Sequence, residues 1–395
     1  MAKALINPLM LRWARERAGL TIDELARKFN KHTPKPQQIE AWEKGDKFPT
    51  FRQAETIANK THIPFGYFYL PKPPQEEFPI PDLRTKKNEA VESPSANFYD
   101  LIQHVLFQKD WYRDYLLKHE NQPLPFVGKY DLNTKPHIIA KDIRSTLNIE
   151  SMAQSKNWEQ HLDALYNRSE EIGIWVMRSS IIGNNTHRHL SVDEFRGFAI
   201  CDTIVPLIFI NSSDAKAGQI FTLAHELAHI WLGKSGISNL RLDEKSQDHN
   251  VRIERLCNAV AAETLVPQDH FLELWNDNEE LENNIGKLTR EFKVSSVVIA
   301  RRAVTLDRLD WNTFSIYYQQ EQSRWKKEQS RRKREENSGG DYYRVAPIRN
   351  GRRFTNAVLN NAMSGQLLLR DAGSLLHITP KNLQKLYLMK NQEQN

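Results

Sequence analysis

The chain has 395 residues, 39% hydrophobic and 26% charged, enough to bury more than one core. Its two cysteines, Cys201 and Cys257, exclude a disulfide framework and a four-thiolate metal site, and fit a reducing compartment. Net charge is +6 but unevenly spread, with +5 over 1–70, −7 over 71–320, +6 over 321–353 and +2 over 354–395, so two basic ends that suit a polyanionic partner flank an acidic middle.

The first ten residues carry one charge and no apolar run of signal-peptide length, and no later stretch approaches a membrane span. The expectation is a cytoplasmic protein with no membrane partner. Residues 1–70 read as an all-helical head. Gly19 closes one short helix, Thr21 and Glu24 form a capping box for the next, Pro36 suits a first helical turn, and Gly45 ends that helix. Thr21–Phe29 followed by Pro36–Lys44 has the order of a helix-turn-helix that binds double-stranded DNA. Lys35, Gln37 and Gln38 stand where such helices meet base edges, Lys44 is placed for phosphate, and Ile39 and Trp42 belong to the core face. The two prolines in "NKHTPKP" depart from the usual turn and leave the helix start open, and a protein-docking helical module is the competing reading.

Six prolines between Pro71 and Ser95 mark 71–95 as an extended linker. The segment 96–320 mixes patterns. Phe98–Leu117 repeats apolar residues at helical spacing, whereas "IGIWVMR", "RGFAICD" and "TIVPLIFIN" are short β-branched and aromatic runs. Helices are expected over Ala217–Leu232, stopped by Gly233, over Asp248–Leu265, and over Leu281–Leu309, giving an α+β domain with a small sheet ahead of its central helix. His187 and His189 in "NNTHRH" are assigned to an exposed polar loop. Residues 321–353 form a basic linker, read as a solvated helix running out past its Gly pair. Residues 354–395 make a small helical module in which Phe354, Val358, Leu359 and Met363 share a face and a break near His377 precedes a helix capped by Thr379. Thr379-Pro380-Lys381 echoes Thr33-Pro34-Lys35, so a second helix-turn-helix is one reading.

The sharpest chemical signal is His225-Glu226-Leu227-Ala228-His229. Positions four apart on a helix lie one above the other, so both imidazoles reach one ion, while Glu226, about 100° round, reaches a water on it. Roughly 0.03 chance matches to this spacing are expected in such a chain, which favours a catalytic zinc site, one ion per chain, over coincidence. The flanking residues are almost all apolar, and polar groups drawn out of water there need a partner.

A hydrolytic zinc site takes three protein ligands and keeps one position for water. "VRIERLCNAVAAETLVP" offers Glu254 and Glu263, nine residues apart and therefore on opposite faces. The face of Glu254 continues through Asn258 to small residues that allow close packing on Ala224 and Ala228, so Glu254 is the preferred third ligand, with Asn258 orienting a ligand. Asp248, His249 and Glu263 remain rivals, Glu263 otherwise reading as a solvent-facing helix residue, and Cys257 reads as a small core residue. Ligand type alone leaves manganese open beside zinc.

"HELAH" followed by "ERLCNAVAAETLVP" resembles the ImmA/IrrE family of zinc metallopeptidases, whose second motif runs approximately E-x-x-A-N-x-F-A-A-x-L-L-M-P. Glu254, Asn258, Ala261, Ala262, Leu265 and Pro267 match it, and Cys257, Val260, Thr264 and Val266 depart by residues that still pack in a core. The head also resembles the XRE/Cro-type helix-turn-helix carried by many members, and "GRRF" resembles their C-terminal module, so the resemblance spans nearly the whole chain. It implies a gluzincin-like peptidase in which His225, His229 and Glu254 bind zinc and Glu226 acts as general base and then acid. It further implies a protein substrate, a helix-turn-helix repressor or similar regulator, whose cleavage controls stress-response, mobile-element or toxin–antitoxin genes. Arg196–Cys201 or Val205–Asn211 would pair with an extended substrate segment. A transcription regulator that senses zinc or a partner without proteolysis is the alternative.

Overall fold

The computed structural model describes residues 2–29, 33–76, 94–149, 157–238, 249–335 and 342–393. Two compact units emerge, Met1–Pro79 with Ala90–Val105, and a second that contains Leu106–Asn395. Residues 77–93, which make up most of the expected proline-rich linker, residues 30–32 of the head turn, Asp248, and the Gly339-Gly340 pair lie outside the described residues.

In the first unit the helices are α1 (Pro8–Arg17), α2 (Ile22–Arg27), α3 (Pro36–Lys44) and α4 (Phe51–Thr61), followed by a 3-10 turn at Phe65–Tyr69. The caps are written locally. Thr21 and Glu24 exchange side-chain and backbone bonds at the start of α2, Thr50 and Gln53 do the same for α4, and Gly45 ends α3 in the left-handed region. Met10, Leu11 and Ala14 of α1 meet Leu25, Ile39, Ile57 and Phe68 in a buried core. A two-bond pair from Arg15 to Glu43 ties α1 to α3.

Helix α5 (Ala96–Lys118) is followed by α6 (Pro136–Leu147) and α7 (Trp158–Glu171). Strands β1 (Trp175–Ser179), β4 (Gly197–Ile200), β5 (Leu207–Asn211) and β6 (Gly236–Ser238) form a sheet in the order β1-β5-β4-β6, and β2 (Ile181–Ile182) pairs with β3 (Asn185–His189). β1 runs parallel to β5, and β4 is antiparallel to both β5 and β6. Helix α8 (Lys216–Leu232) lies against β4 and β5 and is enclosed by α6, α7 and α9 (His249–Leu265). That environment is why α8 is apolar nearly all round: Ile220, Leu223, Leu227, Ile230 and Trp231 are all fully buried, each contributing about 1.5–3 kcal/mol. Gly233 ends α8 at φ 63°, and a side chain there would come within 2.9 Å of the Gly128 backbone.

Beyond α9 come α10 (Gln268–Leu274), α11 (Leu281–Phe292), α12 (Ser296–Thr305), α13 (Trp311–Glu335), α14 (Tyr342–Asn350), α15 (Arg352–Met363), α16 (Leu369–Leu376) and α17 (Pro380–Glu393). The result is a mixed α+β chain, mostly helical with a small sheet. Three expectations are corrected. The single helix over Leu281–Leu309 is two, because Lys293 turns left-handed and Ser295 caps a fresh start by accepting from Val298. The sheet does not wholly precede the central helix, since β6 follows it. His187 and His189 are exposed as expected, but on β3 rather than in a loop. Among the described residues no helix is long and apolar enough to cross a membrane.

Candidate metal centre

Helix α8 carries His225, Glu226 and His229 at zero exposure. The two rings are aimed from behind. His225 Nδ1 lies 3.0 Å from Asn258 Oδ1, and His229 Nδ1 lies 2.9 Å from the carbonyl of Lys234, just past the Gly233 cap. Each Nδ1 thus donates its proton outward, and both Nε2 atoms turn inward, 3.1 Å apart. Helix α9 supplies the third side. Glu254 places Oε2 3.3 Å from His225 Nε2 and Oε1 3.2 Å from His229 Nε2. Burial opposes its ionisation, and positive charge between these groups offsets it: protonated imidazoles hold the carboxyl down to about 2, a place that a cation takes over when the rings are neutral. Burial is also what depresses the His225 imidazole.

Two inward-facing nitrogens and two carboxylate oxygens make a nest of electron pairs that calls for positive charge. Donors around a tetrahedral ion with bonds of about 2.0–2.1 Å stand roughly 3.3 Å apart, close to the spacings here, so the residues present fit a divalent metal. Cys257, one turn beyond Glu254, is fully buried, and its Sγ and the two ring nitrogens lie within 4.8 Å of one another. The core assignment of Cys257 is therefore incomplete: the i, i+3 spacing from Glu254 puts the thiol beside the donor cluster as well. Cys201 Sγ sits 3.3 Å from the carbonyl of His229.

Of the three rivals, only Glu263 has a described side chain. Glu263 points to the other side of α9, where it pairs with Arg302 and accepts from the Gln268 N–H, so it is neither near the histidines nor a solvent-facing residue. Arg302 also donates to the Val266 carbonyl, 3.0 Å away, which closes the end of α9 onto α12. His249 begins α9, but its side chain lies outside the described residues.

Gly197, at the start of β4, went unnoticed in the sequence. A side chain there would come within 3.0 Å of Glu226 Oε1 and 2.6 Å of Thr222 Cγ2, so the missing Cβ leaves the room that the Glu226 carboxylate uses. The expectation that β4 or β5 receives an extended substrate is corrected: β5 lies between β1 and β4, and β4 between β5 and β6, so neither has an open edge. Among the described residues the sheet ends on that side in β6.

In the head, Lys35, Gln37, Gln38 and Lys44 are all exposed. Gln38 Oε1 accepts from the Lys35 N–H as a cap, and Lys44 pairs with Glu40 at 2.8 Å, so two of the four already have local work.

Residues 169–304 match the peptidase M78 family model, the IrrE N-terminal-like domain, and residues 350–387 match a domain of unknown function, DUF8813. No curated protein matches the chain. The first match contains the whole of α8 and α9 and supports an ImmA/IrrE-type peptidase.

Proposed function

We propose that the chain is a zinc-dependent endopeptidase fused to a DNA-binding head, and that it cleaves a transcriptional repressor or similar regulatory protein. The convergence of His225 Nε2, His229 Nε2 and the Glu254 carboxylate, with Glu226 on the next helical position after His225, carries the reading. His225, His229 and Glu254 would hold the ion, and the nearby thiol of Cys257 favours zinc over the harder manganese. When bound, zinc supplies Lewis acidity toward a scissile carbonyl and makes a water easier to deprotonate. Asn258 and the Lys234 carbonyl keep both rings turned inward. Glu226 accepts the proton of the attacking water and delivers it to the leaving amine, a role worth roughly 10²–10⁴ in rate. Exposed Lys35 and Gln37 on the head are the proposed DNA contacts, with Gln38 and Lys44 joining once their local bonds exchange for base and phosphate.

The test compares wild type with His229→Ala, Glu254→Ala and Glu226→Gln, reading metal content by elemental mass spectrometry and cleavage of repressor proteins encoded next to the gene. One zinc per chain, lost in the first two variants and kept in the third with cleavage abolished, is the expected pattern; a folded wild type without metal would sink the reading. Burial of all three α8 side chains, with no open edge on β4, favours a second reading, a regulator that senses zinc or a partner without cutting. Transcriptional output unchanged by Glu226→Gln but destroyed by His225→Ala would select it.

A further inference from the structure

The module that matches a domain of unknown function has a geometry that assigns it a ligand. We infer that α16 and α17 form a helix-turn-helix of their own, and that α17 enters the major groove of double-stranded DNA.

The turn comes first. Only His377, Ile378 and Thr379 separate the two helices, a connection of the length such motifs use. His377 adopts the left-handed conformation at φ 54°, and the Ile378 N–H bonds back to the Gly373 carbonyl at 3.0 Å. A side chain at Gly373 would come within 2.7 Å of the Ile378 carbonyl, so the close approach of α16 to the turn requires glycine there. Ala372, Leu376, Ile378, Leu383 and Leu386 are all at most 3% exposed and close the angle between the helices over α15.

The second observation is which side of this unit is used. The end of α16 is docked inward: Gln108 donates to the Leu375 carbonyl at 2.6 Å, Asn350 to that of Leu376 at 3.3 Å, and Asn184 to that of His377. Along α17, Thr379, Pro380, Lys381, Gln384, Lys385 and Leu388 are all exposed and share one stripe from its first turn, with Lys385 lying over Tyr343 of α14. These are the positions from which a recognition helix reads DNA.

Charge supplies the third. Residues 350–387 hold five Lys/Arg against one Asp/Glu, and no acidic residue lies between Thr379 and Gln392. By contrast α3 of the head carries Glu40 and Glu43. Lys381 and Lys385 suit phosphate, the latter resting 4.6 Å from the Tyr343 ring centre, and Gln384 between them is placed for a base edge.

The experiment uses the full chain and random-sequence duplexes, measuring binding between 50 and 200 mM salt and the sequences enriched by repeated selection. The triple variant Lys381→Ala/Gln384→Ala/Lys385→Ala is compared with wild type and with Lys35→Ala/Gln37→Ala in the head. Loss of two phosphate contacts lowers the salt slope by about 1.8, so wild type should lose about 12-fold more affinity than the triple variant over that range. The triple variant should also drop base positions that the head variant retains. All three replaced residues are exposed, and equal melting temperatures verify that the fold is kept. Identical salt slopes and enriched sequences for wild type and triple variant, or no duplex binding by wild type, would overturn the assignment and leave α17 as a protein-docking helix.

Discussion

Replacing Gly197 by alanine tests whether the strand beside α8 is shaped around the candidate base. The new Cβ would stand 2.6 Å from Thr222 Cγ2, 3.0 Å from Glu226 Oε1 and 3.0 Å from the Phe209 carbonyl. Ordinary carbon contacts are about 3.5–4.0 Å, so something must yield by up to roughly 1 Å. A backbone carbonyl and a β-branched side chain on a packed helix yield poorly, and such overpacking costs about 1–3 kcal/mol. The compensating change is Thr222→Ser, which removes the nearest methyl, keeps the hydroxyl, and alone costs about 1 kcal/mol as a buried methyl deletion. In a double-mutant cycle read by urea denaturation, the pair should be more stable than the sum of the singles by about 1 kcal/mol or more. Metal content should stay at wild type throughout. Additivity within about 0.5 kcal/mol would refute the contact, because independent sites add to that precision.

Three further outcomes follow from particular contacts. Asn258→Ala removes the partner of His225 Nδ1 and should weaken metal binding about 10–100-fold in competition with a chelator, whereas an unchanged affinity would mean that the amide does not orient the ring. Asp202 is partly buried, which opposes its charge, but Lys109 and the Val205 and Ile204 N–H groups pull its carboxyl from the usual 3.8 down to about 2. A depressed value stabilises the fold above the unfolded carboxyl range and is lost as pH falls toward 2, so Asp202→Asn should cost roughly 2 kcal/mol at pH 7 and almost nothing near pH 2; a gap that persists in acid would contradict the pairing. Glu263→Ala strands the buried Arg302 guanidinium and should cost about 3 kcal/mol with zinc content intact, much of it recovered in Glu263→Met/Arg302→Met; loss of metal instead would return Glu263 to the candidate ligands.

The spacing His225-x-x-x-His229 and the choice of Glu254 over Glu263 were legible because both depend on which residues share a helix face, and 3.6-residue periodicity is local. The caps at Thr21, Pro36, Gly45 and Gly233 were legible for the same reason. What escaped the sequence is non-local or belongs to the backbone. The Lys234 carbonyl that orients His229 leaves no mark in side-chain identity. The pairing of Glu263 with Arg302 spans 39 residues, and β6 is three residues long with no alternation to reveal it. The break between α11 and α12 did have a signal, Ser295 as a cap, which the apolar spacing on either side overrode.

The polar cluster also explains how so apolar a helix tolerates two imidazoles at zero exposure beside Glu226. Left alone, His225, Glu226 and His229 would make α8 a poor core element, since each buried polar group without a partner costs on the order of 1–3 kcal/mol. α9 supplies the answer on one face, with Glu254, Cys257 and Asn258 at i, i+3 and i+4, and Gly197 of β4 leaves space on the other. The two sequence motifs are therefore one energetic unit. Removing both imidazoles and Glu254 together should destabilise the second unit less than the sum of the single changes, because each single change leaves the others buried around an incomplete nest.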